Sequence, residues 1–258
     1  MPRFAANLTM LFNEQPFMDR FAAAKAAGFK AVEYLFPYAY DKNALAQALQ
    51  ANGLTQVLHN LPPGNWDAGE RGIACHPDRV AEFRAGVDQA IDYAKALRCP
   101  QLNCLAGKLP AGVSREAAQA TLVANLRFAA DKLKSNNIRL LIEPINGFDI
   151  PGFFLNYTEQ AAAIILEVGS DNLYIQYDIY HAQRMEGELA ATMQKHLPRI
   201  AHMQLADNPG RHEPGSGEIN YAFLFRHLDA IGYTGWIGCE YKPKTTTVEG
   251  LGWIKALT

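Results

Sequence analysis

Residues 139–146 read RLLIEPIN: three aliphatic side chains running straight into the carboxylate of Glu143 and then into Pro144. A short apolar run of this kind reads as a strand buried on both faces, and a proline, with no N–H to donate, ends it. Glu143 therefore stands at the end of a buried strand, where an unpaired carboxylate is costly. Its partners must come from other parts of the chain, and finding them decides the fold.

Seven further stretches have the same strand character: RFAANL (3–8), AVEYLF (31–36), TQVLHNL (55–61), QLNCLAG (101–107), LYIQYDI (173–179), IAHMQLAD (200–207) and GWIGCEY (235–241). Helical spacing fills the intervals. Residues 16–28 open with Pro16 at a helix start and close with Gly28 past its end, and residues 114–137, SREAAQATLVANLRFAADKLKSNN, have the spacing of a long helix with Ser114 placed to cap it. Eight strands alternating with helices, without a linker-like shift in composition, predict an α/β chain forming one domain over residues 1–258. The alternation favours a parallel sheet and the count of eight a single (β/α)8 TIM barrel. No GxGxxG follows the first strand and no P-loop is present, so nothing favours an open nucleotide-binding sheet. Two long connections, 61–79 and 208–221, fall on the C-terminal face of such a barrel, as lids over a pocket or as exposed loops.

The last polar residues of strands five to eight are Glu143, Asp178, Gln204 and Glu240, each closing an apolar or aromatic run. In a barrel these side chains converge on one mouth. Three carboxylates there would repel one another strongly, and a shared divalent cation is the economical remedy. Carboxylate and amide oxygens are hard ligands, suited to Mg²⁺ or Mn²⁺ with open positions left for substrate. Two residues earlier on the same face lie Leu141, Gln176, His202 and Gly238; Gln176 and His202 are expected to orient the ligands by hydrogen bonding.

Composition bounds the remaining possibilities. The chain has 258 residues, 49% hydrophobic and 19% charged, with a formal net charge of -2. The charged share is below the roughly 25% of typical soluble domains, which leaves room for a subunit interface and a homo-oligomer. Without a Lys/Arg block, neither nucleic acid nor a membrane surface is expected as partner. The four cysteines lack CxxC spacing, no signal peptide is read at the start, and no apolar run reaches the roughly 20 residues needed to span a bilayer. Together these predict a cytoplasmic protein with reduced thiols.

The motifs LIEPIN…DIPGF, IQYDIYHAQRMEGE, GEINY and GWIGCEYKP together resemble the hydroxypyruvate isomerase family, within the xylose isomerase-like TIM-barrel superfamily. The resemblance runs from RFAANLTMLF to EGLGW, essentially the whole chain. It implies an aldose–ketose-type isomerase interconverting hydroxypyruvate and tartronate semialdehyde, with 2-oxo-tetronate isomerases as a similar family on the same frame. It implies that Glu143 and Glu240 are the proton donor and acceptor, and that the superfamily's metal ligands map to Glu143, Asp178, Gln204 and Glu240. Many sugar epimerases of the superfamily carry histidine where this chain has Gln204.

A small hydroxy-oxo acid brings its own carboxylate, so the mouth must also offer cations. Arg71, Lys108 and Arg211 are the candidates, with Lys108, directly after strand four, the first choice. His59, at the end of strand three, and His181, just past Asp178, are candidate hydrogen-bond donors to substrate oxygens. Glu70 is expected to pair with its neighbour Arg71. A metal-dependent phosphodiesterase on the same barrel is disfavoured by Gln204 and by the lack of a basic surface.

Overall fold

All eight apolar runs form strands: β1 Arg3–Asn7, β2 Ala31–Glu33, β3 Thr55–Asn60, β4 Gln101–Cys104, β5 Arg139–Ile142, β6 Leu173–Asp178, β7 Ile200–Leu205 and β8 Trp236–Cys239. In the computed structural model, which describes residues 2–258, they pair in chain order, all parallel, and β8 closes on β1 as a barrel. The ladders stop earlier than the apolar runs do, because each chain must leave the barrel to start its loop. Thus β5 ends at Ile142 and Glu143 lies one residue beyond it, immediately before Pro144.

The helices are α1 Arg20–Ala26, α2 Lys42–Asn52, α3 Val80–Leu97, α4 Arg115–Lys134, α5 Thr158–Val168, α6 Ile179–Met185, α7 Leu189–His196, α8 Tyr221–Ala230, α9 Thr247–Gly250 and α10 Gly252–Leu257. Ser114 caps α4 as expected, its hydroxyl accepting from the Ala117 N–H at 3.1 Å. The stretch after Pro16 differs from expectation: residues 17–19 form a 3-10 turn and the α-helix starts only at Arg20. Arg20 braces that turn by donating to the carbonyls of Leu8 (2.7 Å) and Gln15 (2.9 Å). Among the described residues, no helix is long and apolar enough to cross a membrane.

One large apolar cluster fills the space between barrel and helices. A separate small one, Ala5, Ala31, Val57, Leu58 and Leu141, plugs the lower end of the barrel interior. Side chains alternate along a strand, so the residues two positions further on face the same way. Above Ala5, Ala31 and Leu141 these are Asn7, Glu33 and Glu143, and the interior turns from apolar to polar on the way up to the mouth.

A bulge in β3 redirects two side chains. Val32 pairs with Gln56 but Glu33 pairs with Leu58, so β3 carries one extra residue at Val57. A one-residue slip exchanges the two faces of a strand. Asn60, rather than His59, then faces the mouth.

Candidate active site

The floor of the mouth is a hydrogen-bonded set of buried polar side chains. Glu33 Oε1 accepts from Asn7 Nδ2 at 2.9 Å and from Gln204 Nε2 at 2.7 Å, and Glu33 Oε2 lies 2.6 Å from His202 Nε2. Gln204 Oε1 in turn accepts from Gln176 Nε2 at 2.6 Å. Gly238 is what makes room: a Cβ there would lie 2.2 Å from Glu33 Oε1. Gln176 therefore orients Gln204 directly, whereas His202 acts on it through Glu33.

Above this floor stand three carboxylates. Glu143 Oε2 accepts from Asn103 Nδ2 at 2.8 Å. Asp178 caps α6, its Oδ1 accepting from the N–H of Tyr180 (2.8 Å) and of His181 (3.4 Å), while its Oδ2 is buried without a hydrogen-bond partner. Glu240 Oε1 accepts from Arg211 Nη2 at 3.2 Å. Burial pushes the Glu143 carboxyl well above the usual range, and the charges of Glu240 and Asp178 push it further. Burial likewise raises Glu240 to about 8 and Asp178 to about 6, in both cases against the opposing pull of Arg211. The three titrate as a group, so the mouth holds protons at neutral pH that isolated carboxylates would have lost.

His181 and Arg211 complete the wall. His181 Nε2 is 3.7 Å from Asp178 Oδ2 and 3.9 Å from Glu143 Oε1, and its Nδ1 is 2.6 Å from Asn146 Nδ2. Burial, with the nearby charges of Arg211 and Arg184, keeps the imidazole neutral. Arg211 adopts a positive φ of 54° in the loop after β7 and reaches three acids: Glu240, Asp178 at 3.9 Å and Asp149 at 3.8 Å. That loop is held by Asp207, whose carboxylate accepts from the backbone N–H groups of Asn208 (2.9 Å), Gly215 (2.8 Å) and Ile219 (3.1 Å). The mouth encloses about 540 Å³, sized for a small metabolite.

Comparison with known proteins agrees with this fold. The family model for the xylose isomerase-like TIM barrel matches residues 21–257. The chain belongs to that family. It is 58% identical over 254 residues to hydroxypyruvate isomerase of Escherichia coli (strain K12), covering 98% of each chain. It is 49% identical over 255 residues to 2-oxo-tetronate isomerase of Cupriavidus necator, covering 99% of this chain and 98% of that one. A crystal structure from Brucella melitensis described as an AP endonuclease, family 2, superposes with a TM-score of 0.97 at 46% identity over 99% of each chain. At 18% identity, the structure of 3-keto-D-glucoside 4-epimerase from E. coli shares the fold, with a TM-score of 0.83.

Of the residues read from the sequence, this xylose isomerase-like barrel brings Glu143, Glu240, His181, Arg211 and Arg71 to the mouth lining, with Asp178 and Gln204 buried beneath. Two candidates are elsewhere. His59 is fully buried on the helix side of β3, where burial lowers its pKa to about 3, and Asn60 lines the mouth in its place. Lys108 is absent from the lining; it pairs with Phe153 in an antiparallel bridge, and its carbonyl lies 3.0 Å from His76 Nε2. Glu70 pairs with Arg79 instead of Arg71, which lies over the Trp66 ring at 3.9 Å and donates to the Trp66 carbonyl at 3.0 Å. Sequence reasoning missed Glu33, Asn60 and Asn103, although the strand-end rule applied to strands two to four points at them. It also missed Lys242 and Asp149, in loops beyond the strand ends, and Arg184, in α6, all of which line the mouth.

Glu143, Asp178 and His181 offer ligand atoms within 4.8 Å of one another, a group that could hold a metal ion. The unpartnered Asp178 Oδ2 and the free Glu143 Oε1 suit a hard cation. Gln204 Oε1 accepts from Gln176 and its Nε2 donates to Glu33, which leaves one lone pair of the amide oxygen for a cation. Glu240 is paired with Arg211.

Proposed function

We propose that this chain is an isomerase interconverting hydroxypyruvate and tartronate semialdehyde by proton transfer between Glu143 and Glu240. The observation that carries the reading is that two strand-end glutamates share one buried mouth and both have raised proton affinity. Such a pair at neutral pH can hold one proton and lack another, as a donor and an acceptor must. The identity to the E. coli hydroxypyruvate isomerase supports the same substrate.

In the forward direction one glutamate removes a proton from C3 of hydroxypyruvate, leaving an enediolate over C2 and C3. The other glutamate delivers a proton to C2, and the C3 hydroxyl proton passes to the C2 oxygen, so atoms balance without an outside oxidant. The neutral His181 faces the substrate as a hydrogen-bond donor, and Arg211 offsets the developing negative charge. Arg71 and the exposed Lys242 are placed to meet the substrate's carboxylate. An ion held by the oxygens of Glu143 and Asp178 fits Mg²⁺ or Mn²⁺ and, when bound, would add electrostatic stabilisation of the enediolate.

A second reading, isomerisation of the four-carbon 2-oxo-tetronate, is favoured by the relative from C. necator and by the cavity volume, which also admits that substrate. The endonuclease wording of the Brucella structure is not carried over. The chain's net charge is -2 and its mouth is rich in acids, which opposes binding a phosphate backbone. NMR of the protein with hydroxypyruvate in D₂O tests the assignment: tartronate semialdehyde should form with deuterium entering the exchanging carbons. Inertness toward hydroxypyruvate combined with turnover of 2-oxo-tetronate would transfer the assignment to the second reading.

A further inference from the structure

We propose that Asn146 is a positioning residue that fixes the tautomer of His181, keeping the proton on Nε2, where it points at the substrate. The proposal rests on the isomerase reading for the role of His181, while the tautomer itself follows from hydrogen-bond geometry. Asn146 is fully buried one residue past Ile145 in the loop leaving β5. Its Oδ1 accepts from the backbone N–H of Phe148 at 3.1 Å and of Asp149 at 2.8 Å. Its Nδ2 donates to Asp149 Oδ2 at 3.1 Å and to His181 Nδ1 at 2.6 Å.

Every donor and acceptor site of the Asn146 amide is therefore engaged. Rotating the amide by half a turn would set its NH₂ against two backbone N–H groups and its oxygen against the Asp149 carboxylate. Three favourable contacts would become repulsive, so the orientation is over-determined. Asp149 is itself held, accepting from the Tyr180 hydroxyl at 2.9 Å and from Arg184 Nη1 at 2.6 Å. With an NH₂ facing it, Nδ1 of His181 must present a lone pair, and the single proton of the neutral ring sits on Nε2. Nε2 lies between Glu143 and Asp178, at the edge of the mouth. The proton there gives the enediolate oxygen a donor that needs no rearrangement during the reaction. The same tautomer leaves no lone pair on Nε2, so an ion at Glu143 and Asp178 would be held through oxygen alone.

The test combines ¹⁵N NMR of histidine-labelled protein with kinetics. The His181 signals are assigned by their loss in His181→Asn. In the wild-type protein Nδ1 should show the signature of a bare ring nitrogen and Nε2 that of a protonated one; the reverse pattern overturns the proposal. Asn146→Asp replaces the NH₂ by a carboxylate oxygen, which should draw the proton to Nδ1 and reverse the two signatures. With hydroxypyruvate, kcat should then fall on the order of 100-fold, as on loss of one preorganised donor, with a much smaller change in KM. Asn146→Ala, which removes the lock without adding charge, should give mixed signatures and a smaller loss of kcat. If the signatures reverse in Asn146→Asp while kcat is unchanged, the positioning role is wrong. A wild-type enzyme inert toward hydroxypyruvate would show itself before any variant is made, so failure of the functional reading is separable from failure of the tautomer assignment.

Discussion

Arg211 Nη2 lies 3.2 Å from Glu240 Oε1, and the same guanidinium lowers the proton affinity of all three mouth carboxylates. The mouth thus carries a permanent counter-charge on a loop outside the barrel. Replacing Arg211 by Gln should let Glu143, Asp178 and Glu240 rise further and move the acidic limb of the kcat/KM profile to higher pH. We expect kcat/KM to drop by about 100-fold, as for loss of one electrostatic stabiliser. A profile unmoved along the pH axis would show that Arg211 does not govern these groups.

Glu143→Gln and Glu240→Gln should each lower kcat by roughly 100-fold to 10,000-fold, the range general acid–base groups supply. Both variants should fold, because a neutral amide of the same shape replaces a carboxyl that burial disfavours when charged. Steady-state kinetics together with a thermal melt checks both halves. Full activity in either variant would remove the two-glutamate mechanism.

Stability should depend on pH through the same groups. Burial raises the Glu240 carboxyl from its ordinary value of 4.5 to about 8 in the folded chain. A carboxyl whose folded pKa is raised contributes stability that is fully present below the unfolded pKa and is lost as pH rises through the folded one. Between pH 4.5 and 8 the unfolded chain releases this proton before the folded chain does, so the contribution of Glu240 falls across that window. Urea denaturation over this pH range should show a shallower decline in Glu240→Gln than in the wild type.

Gly238→Ala should destabilise the barrel more than an ordinary strand substitution. A Cβ at that position collides with the Glu33 carboxylate, which would have to leave His202, Gln204 and Asn7 together. Breaking a buried polar pair in this way costs on the order of 3 kcal/mol, visible as a lower melting temperature or urea midpoint.

The barrel and its acids were legible because they follow from local rules. Apolar runs fix the strands, period-two alternation puts Glu143, Asp178, Gln204 and Glu240 on the inner face, and Ser114 announces the start of α4. His59 was misplaced because a bulge at Val57 cannot be seen from alternation alone; it depends on how β2 and β3 pair. Lys108 and Arg211 illustrate the difficulty with loops. Both are cations just past a strand end, and only the folded course of the chain turns Arg211 into the mouth and Lys108 aside. Asn146 was visible as part of a motif, but its partner His181 lies 35 positions away, and an amide's orientation depends on all four of its neighbours at once.

The bonds at both ends of the Gln204 amide bear on how such a barrel can change over evolutionary time. Exchanging Gln204 for histidine strands a donor on Gln176 and an acceptor on Glu33 in one mutational step. Glu33 in turn fits only beside a residue without a Cβ at 238. Positions 33, 176, 204 and 238 therefore form an epistatic block, and a lineage that acquires one of these four residues alone inherits a less stable barrel before it gains any new chemistry.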